Sequence, residues 1–268
     1  MALGARTIVV GVLNITPDSF SDGGQNFETG RAIERAFEME SEGADIIELG
    51  GESTRPGATR LSVDEEFSRV LPVLTKIASR LRIPIAVDTY KREVAEAAVA
   101  LGASIINDVS ALRFDPAIAD VAASAGTVLV LMHMRGDPAT MQKMEPSSDI
   151  FAEIRSDLNT AIQVAESRGV RRDQIVVDPG IGFGKTLEQN LAIINHLDHF
   201  ESFGLPVMIG TSRKSFIGRL SGRVEGERLY GTAASVAAAI LRGAHIVRVH
   251  DVKQMVEVAR ITDAIAGG

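Results

Sequence analysis

Short apolar runs and amphipathic stretches alternate eight times along the chain, with no linker or low-complexity segment between them. The apolar runs are Thr7–Asn14, Ile46–Gly51, Ile83–Val87, Ser104–Ile106, Thr127–Leu131, Ile175–Val177, Pro206–Gly210 and His245–Val249. Runs this short, continuous and rich in Val and Ile read as strands buried on both faces. Between them the spacing is helical. Ile33, Ala36 and Phe37 give a helix over roughly Thr29–Gly43 its buried stripe. Phe67, Val70, Leu71, Leu74, Ile77, Ala78 and Leu81 repeat at three and four residues behind a capping box of Ser62 and Glu65. Pro72 inside that pattern predicts a kink.

The third helix runs to Gly102, and the next begins with Asp115 as cap and Pro116 as first residue and stops at Gly126. A helix from about Ile150 buries Phe151, Ile154, Leu158, Ile162 and Ala165. After the sixth strand, Thr186 and Gln189 form a second capping box, with Leu187, Leu191, Ile194 and Leu197 as the stripe. Ala233–Ala239 is apolar nearly all round, which suits either tight packing on the sheet or a surface shared with a second copy of the chain.

Eight such strand–helix units predict an α/β protein, a single closed (β/α)8 barrel over residues 1–268. A doubly wound open sheet is the alternative, but no Rossmann-type glycine fingerprint follows the first strand. The 268 residues contain 45% hydrophobic and 24% charged residues, an ordinary globular balance that a one-domain barrel of this size fits. No stretch has the ~20 apolar residues of a membrane span. The run IVVGVLN is broken by Asn14, Pro17 and Asp18, so it makes a poor signal peptide. Cysteine is absent, which rules out disulfide and thiolate chemistry and fits a cytoplasmic location. A formal net charge of −7 argues against a nucleic-acid partner.

All strand C-termini of such a barrel open on one face, where active sites are built. That face collects Asn14, Glu48, Asp88, Asn107, Met132, Asp178, Lys214 and Arg248, with Arg55, Ser212 and His250 on adjoining loops. Taken singly, an Asp at a strand end is often a cap, Asn107 could satisfy core backbone, and Lys214 and Arg248 could be solvated charges. Their recurrence at the same end of successive strands favours a site. Asp88, Asn107 and Asp178 offer acceptors, which suits a flat heterocycle bearing an amino group and ring N–H groups. Arg248 and Lys214 bring positive charge, Phe183 an aromatic wall, and His250 with Asn14 a place for an anion, directly or through a metal. No structural zinc spacing and no Gly-x-Ser-x-Gly elbow is present.

The segments GVLNITPDSFSDGG (11–24), GGESTRPGA (50–58), VDT (87–89), INDVS (106–110), LMHM (131–134), DPGIGFGK (178–185), GTSRKSF (210–216) and RVHD (248–251) lie in order along nearly the whole chain. In these the chain resembles the dihydropteroate synthase family. The resemblance implies a TIM barrel that joins 6-hydroxymethyl-7,8-dihydropterin pyrophosphate to 4-aminobenzoate, giving 7,8-dihydropteroate and pyrophosphate in folate biosynthesis. It implies Mg2+, a homodimer and a sulfonamide target.

By the same resemblance, Asp88, Asn107, Met132, Asp178, Gly210, Lys214 and Arg248 bind the pterin. Asn14, Arg55, Arg248 and His250 hold the pyrophosphate, with Asn14 at the metal. Phe20, Thr54, Arg55, Pro56, Phe183, Ser212 and Lys214 shape the aminobenzoate site. Asp22, Lys214 and Arg248 stand at the reaction centre. Two positions depart from the family pattern: Glu48 where many members have Asp, and Gln189 where some have His; neither is expected to touch substrate. The loops NITPDSFSDGGQN and ESTRPGATR lack an apolar stripe and are expected to be mobile until a first substrate orders them. A pterin-binding methyltransferase on the same barrel would share the Asp and Asn contacts without needing TSRKSF or NITPDSFSDGG; a non-enzymatic pterin-binding protein would tolerate loss of Lys214 and Asp22.

Overall fold

A computed structural model describes residues 4, 6–15, 25–54 and 57–267, with the side chains of 25–28 excepted. Eight parallel strands are β1 (Ile8–Asn14), β2 (Ile46–Gly50), β3 (Ile85–Asp88), β4 (Ile105–Asp108), β5 (Val128–Met132), β6 (Ile175–Asp178), β7 (Met208–Ile209) and β8 (Ile246–Val249). The helices are α1 (Gln25–Glu42), α2 (Val63–Ile77), α3 (Arg92–Ala100), α4 (Ile118–Ala125), α5 (Ile150–Ser167), α6 (Leu187–Asn195), α7 (Ser215–Ser221), α8 (Leu229–Leu241) and α9 (Val252–Ala266). The sheet runs β6-β5-β4-β3-β2-β1-β8-β7, and a parallel bridge between Val177 and Val207 joins its two ends. The Val177 amide donates to the Pro206 carbonyl across that seam at 3.0 Å. The barrel therefore closes, as the eightfold pattern predicts. β7 is shorter than the Pro206–Gly210 run suggested, and Pro206 has no N–H to add to the ladder.

Alternate strand positions face inward. Ile8, Val10, Ile46, Ala86, Val130, Val176, Met208 and Ile246 fill the barrel as a separate apolar plug. The opposite parity, with Ile47, Leu49, Val87, Leu129, Leu131 and Val177, packs outward against the helices. Two positions along from the plug, at the C-terminal ends, the inward side chains change from apolar to polar. That change is the floor of the site described below.

Local signals in the sequence mostly hold. Ser62 and Glu65 form a capping box at the start of α2, and Thr186 and Gln189 do so at α6. Gly126 ends α4 with φ of +68°. α2 runs unbroken through Pro72. α4 proper starts at Ile118, two residues after Pro116, but Asp115 still caps the turn that leads into it: its Oδ1 accepts from the Ala117 amide (3.0 Å), while its Oδ2 accepts from the amide of Arg92 (3.2 Å), the first residue of α3. One expectation fails. In α6 Leu191 is exposed, and the inward face is Asn190, Ile193 and Ile194. The helix is turned so that the Asn190 side chain meets the loop before it, accepting from the Gly182 amide at 2.7 Å. No helix of the described residues is long and apolar enough to cross a membrane.

Candidate active site

Parallel pairing places the strand ends side by side. Gly50 is level with Asn14 and with Asp88, Asp88 with Asn107, and Met132 with Asp178. All share the inward parity of the plug residues beneath them, so they crowd the mouth of the barrel. Gly50 leaves room there: a Cβ on it would stand 3.4 Å from Asn14 Oδ1 and 3.8 Å from Asp88 Cβ.

At the centre lies a buried network around Arg248. Its Nε donates to Glu48 Oε1 at 2.5 Å and its NH2 group donates to Asp88 Oδ2 at 2.8 Å. The second Glu48 oxygen accepts from Asn107 Nδ2 at 3.0 Å. Glu48 is only 1% exposed. Burial opposes the Arg248 charge, but Glu48 and Asp88 outweigh it and hold the guanidinium protonated. Burial pushes the Asp88 carboxyl upward; Arg248 opposes that and the nearby Glu48 charge adds to it. One cation thus faces two carboxylates.

Because Glu48 takes the Asn107 amide hydrogens, Asn107 turns its carbonyl oxygen the other way. That Oδ1 is buried and has no hydrogen-bond partner among the described residues. Asp178 is also buried. Its Oδ1 accepts from the Gly180 amide at 2.7 Å, and burial pushes its carboxyl up to about 6 against the pull of that amide and of the Lys214, Arg248 and Lys185 charges.

Asn107 and Asp178 line a narrow cleft together with Thr54, Met132, Phe183, Gly210, Lys214 and Arg248, all anticipated from the sequence, and with Val109 and Ile181, which were not. The Lys214 ammonium lies over the Phe183 ring, 4.2 Å from its centroid. Lys214 is aimed by its neighbour. Arg213 has φ of +58°, a left-handed conformation costly for a side chain with a Cβ, and a two-pronged pair with Asp251 at 2.6 and 3.1 Å holds it there.

Asp88, Asn14, Ser212 and His250 do not line the cleft itself. Asp88 faces the Arg248 guanidinium instead. His250 and Ser212 form one unit: the His250 amide donates to Ser212 Oγ at 3.2 Å, and the ring Nδ1 is 3.0 Å from the same oxygen. Burial, then the charges of Arg248, Arg213 and Lys214, hold His250 down at about 3. It is therefore neutral near pH 7 rather than a second cation. Phe20, Asp22, Arg55 and Pro56 lie outside the described residues.

The described part of the β2–α2 loop is tethered at several points. Glu52 Oε2 accepts from the Leu61 amide at 3.2 Å, across the mouth of the loop. The Gly57 amide donates to the Pro138 carbonyl at 3.0 Å, and the Arg60 guanidinium stacks 4.3 Å from the Phe114 ring centroid. Glu52 itself is braced by the Tyr90 hydroxyl and Lys91. The expectation of mobility for the first loop falls on residues outside those described.

Glu48 was set aside on sequence grounds, yet it is what orients both Arg248 and Asn107. The signal was available: a lone carboxylate at an inward position of a strand that is otherwise apolar has to be paired.

One group outside the barrel mouth has metal-ligand character. His133, Glu153 and Asp157 bring one ligand atom each within 4.8 Å of the others. Glu153 is already paired with Arg135 at 2.7 Å, and His133 Nε2 faces Asp157 at 3.4 Å. The group lies on the outer side of β5, away from the barrel mouth; both His133 ring nitrogens are buried without a hydrogen-bond partner among the described residues, and burial and the Lys185 charge hold the imidazole down at about 4.

Comparison with known proteins agrees with this geometry. The family model described as "Pterin binding enzyme" matches residues 10–250. The dihydropteroate synthase of Bacillus subtilis is 48% identical over 260 residues, covering 97% of this chain and 89% of that protein. A dihydropteroate synthase from Clostridium difficile, crystallised in the presence of pteroic acid, superposes with a TM-score of 0.93 at 44% identity, covering 99% of this chain and 98% of that one. The Xanthomonas albilineans enzyme with 4-aminobenzoic acid gives a TM-score of 0.92 at 41% identity, covering 98% and 94%. On a match of this extent to both sequence and barrel, the chain belongs to the dihydropteroate synthase family of pterin-binding enzymes.

Proposed function

We propose that the chain condenses 6-hydroxymethyl-7,8-dihydropterin pyrophosphate with 4-aminobenzoate, giving 7,8-dihydropteroate and pyrophosphate. The observation that carries the reading is the pair of buried acceptors in the cleft, Asn107 Oδ1 and the Asp178 carboxylate. Buried acceptors need N–H donors, and the amino and ring N–H groups of a pterin supply them in one plane. Asp88 joins them through the oxygen that Arg248 does not hold. Lys214 donates to a pterin acceptor, while Met132, Gly210 and the Arg248 guanidinium pack against the ring.

In the reaction the bond between the pterin methylene carbon and the pyrophosphate oxygen breaks, and the electron pair leaves with pyrophosphate. The electron-rich ring carries the cation so formed, with Asp178 and Asp88 near it, and the aminobenzoate nitrogen then attacks and loses a proton. An arylamine is a weak nucleophile, which favours departure before attack. Asn14, Arg55, Arg248 and the neutral His250 hold the pyrophosphate. Phe20, Thr54, Pro56, Phe183 and Ser212 shape the aminobenzoate site, and Asp22 faces the reaction centre. Asn14 would hold Mg2+ through its side-chain amide oxygen. The bound ion would neutralise charge on the leaving group. The absence of cysteine is in keeping with the cytoplasm.

We further propose a homodimer formed through α8. Tyr230, Ala234, Ala238 and Leu241 recur at helical spacing and are all exposed, and Tyr230 is 87% exposed. Sedimentation should give twice the chain mass, reduced to the chain mass by Ala234→Glu; a wild-type monomer would refute the pairing.

Incubation with the dihydropterin pyrophosphate and labelled aminobenzoate should release pyrophosphate and label the pterin product. Lys214→Ala should abolish turnover with an unchanged thermal melt. Turnover at the wild-type rate would make Lys214 a bystander, and no pyrophosphate release by the wild type would leave the methyltransferase reading in its place.

Asp178→Asn should weaken pterin binding by roughly 1.5–3 kcal/mol in calorimetry. It should also stabilise the free protein. The Asp178 carboxyl, raised from 3.8 to about 6, binds its proton more tightly folded than unfolded. Its cost therefore grows as pH rises from about 4 to about 6 and is complete at neutral pH. A rise in Tm of a few degrees at pH 7.5, absent at pH 3.5, is expected. Unchanged pterin affinity would remove Asp178 from the site.

Aminobenzoate should bind the free enzyme poorly and bind well once dihydropterin, Mg2+ and pyrophosphate are present, because the first substrate supplies the anion that Asn14 and Arg55 attract. Equal affinity in both conditions would rule out ordered binding.

A further inference from the structure

Lys185 ends the glycine-rich turn after β6 and has no place in the reaction described above. It is 7% exposed. Its ammonium group has three N–H donors, and all three are spent on backbone carbonyls: Gly180 at 2.8 Å, Phe183 at 3.1 Å and His133 at 3.3 Å. Two of those carbonyls belong to the turn and the third to the exit of β5. The turn itself lies hard against that exit. Gly180, Gly182 and Gly184 all have positive φ, and a Cβ on Gly180 would come within 1.9 Å of the His133 oxygen. From the other side, Asn190 Nδ2 donates to the Lys185 carbonyl at 3.2 Å. The opposite face of the turn carries the cleft wall: Ile181 and the Phe183 ring line it, and the Gly180 amide is the partner of Asp178.

We propose that Lys185 is a positioning residue for the pterin site: its charged amine clamps the 179–184 turn onto β5, and so fixes both the Asp178–Gly180 bond and the Phe183 wall. A neutral filler of the same length could occupy the space but could not hold three carbonyls. Deprotonation matters for the same reason, since a neutral amine has two N–H groups and must release one carbonyl. Burial draws the Lys185 amine down to about 7, against the attraction of Asp178 and Glu153 and with the help of the Lys214 and Arg135 charges. The clamp therefore loosens as pH rises through neutrality. Of the groups facing it, Asp178 titrates at about 6, on the acid side, and His133 is held at about 4. Asp88 is elsewhere in the barrel, paired with Arg248, and burial pushes its carboxyl up to about 8.

The inference rests on the pterin reading for its effect on affinity, but not for the clamp itself, and the test separates the two. The first measurement is amide hydrogen exchange of residues 180–184 in the ligand-free full chain across pH 6 to 8.5, corrected for intrinsic rates. Wild type should lose protection above about pH 7, Lys185→Met should be unprotected throughout, and Lys185→Arg should stay protected to the top of the range. The second is calorimetry with 6-hydroxymethyl-7,8-dihydropterin over the same range. Wild-type affinity should fall on the alkaline side. Lys185→Met should bind roughly ten-fold more weakly at pH 6.5 with no alkaline limb beyond that of Asp88. In turnover, the Met change should raise KM for the pterin substrate and, because Phe183 also shapes the aminobenzoate site, KM for aminobenzoate with it. Protection of 180–184 in Lys185→Met equal to wild type, or an alkaline limb identical in the two proteins, overturns the proposal. Lost protection without any wild-type pterin binding would uphold the clamp and sink the pterin reading instead.

Discussion

A guanidinium inside a barrel has to be neutralised where it stands, because water is not there to do it. Arg248 projects inward from β8, directly above the apolar plug, and Glu48 and Asp88 meet it from β2 and β3. Much of the site follows from that one requirement. Glu48 spends one oxygen on Arg248, and the other orients Asn107. With its amide nitrogen turned to Glu48, Asn107 presents its oxygen away from it, buried and without a partner among the described residues. Removing Glu48 would leave a cation with one partner and an amide free to turn over, so the ion pair sets which face of Asn107 is read as well as where Arg248 lies. A buried pair of this kind contributes little net stability. What it fixes is the chemistry on display.

The fold was legible because its signal is periodic and repeated. Eight apolar runs separated by helical stripes leave few alternatives, and strand parity then sends Asp88, Asn107, Met132, Asp178 and Arg248 to one mouth. Features that depend on partners distant in sequence were harder to read. Asp115 caps the turn into its own helix as expected, but its second oxygen also serves the start of α3, 23 residues upstream in sequence. Leu191 fits the stripe of α6 as well as Ile193 does, but in the fold Ile193 and Ile194 are buried beside Asn190, whose side chain meets the Gly182 amide. Glu48 was underrated because its role exists only once Arg248, 200 residues later, is beside it. Lys185 was passed over as the last letter of a glycine-rich motif, since nothing in local spacing says that three carbonyls converge on it.

Charge is distributed unevenly around the barrel mouth, and the unevenness matches the direction of the proposed reaction. Glu48, Asp88 and Asp178 come from β2, β3 and β6, while Arg213, Lys214 and His250 gather after β7 and β8, with Arg248 between the two sets. His250 is depressed by burial first and then by the Arg248, Arg213 and Lys214 charges, while Asp178, on the strand next to β7, is raised by burial against the pull of Lys214 and Arg248. A substrate that develops a cation on its ring while an anion departs meets each charge with its opposite. A substrate that gained negative charge on the ring would meet the reverse. The proposed order, loss of pyrophosphate ahead of amine attack, therefore rests on the polarity of the mouth more than on any single side chain, and on groups fixed by the fold before substrate arrives.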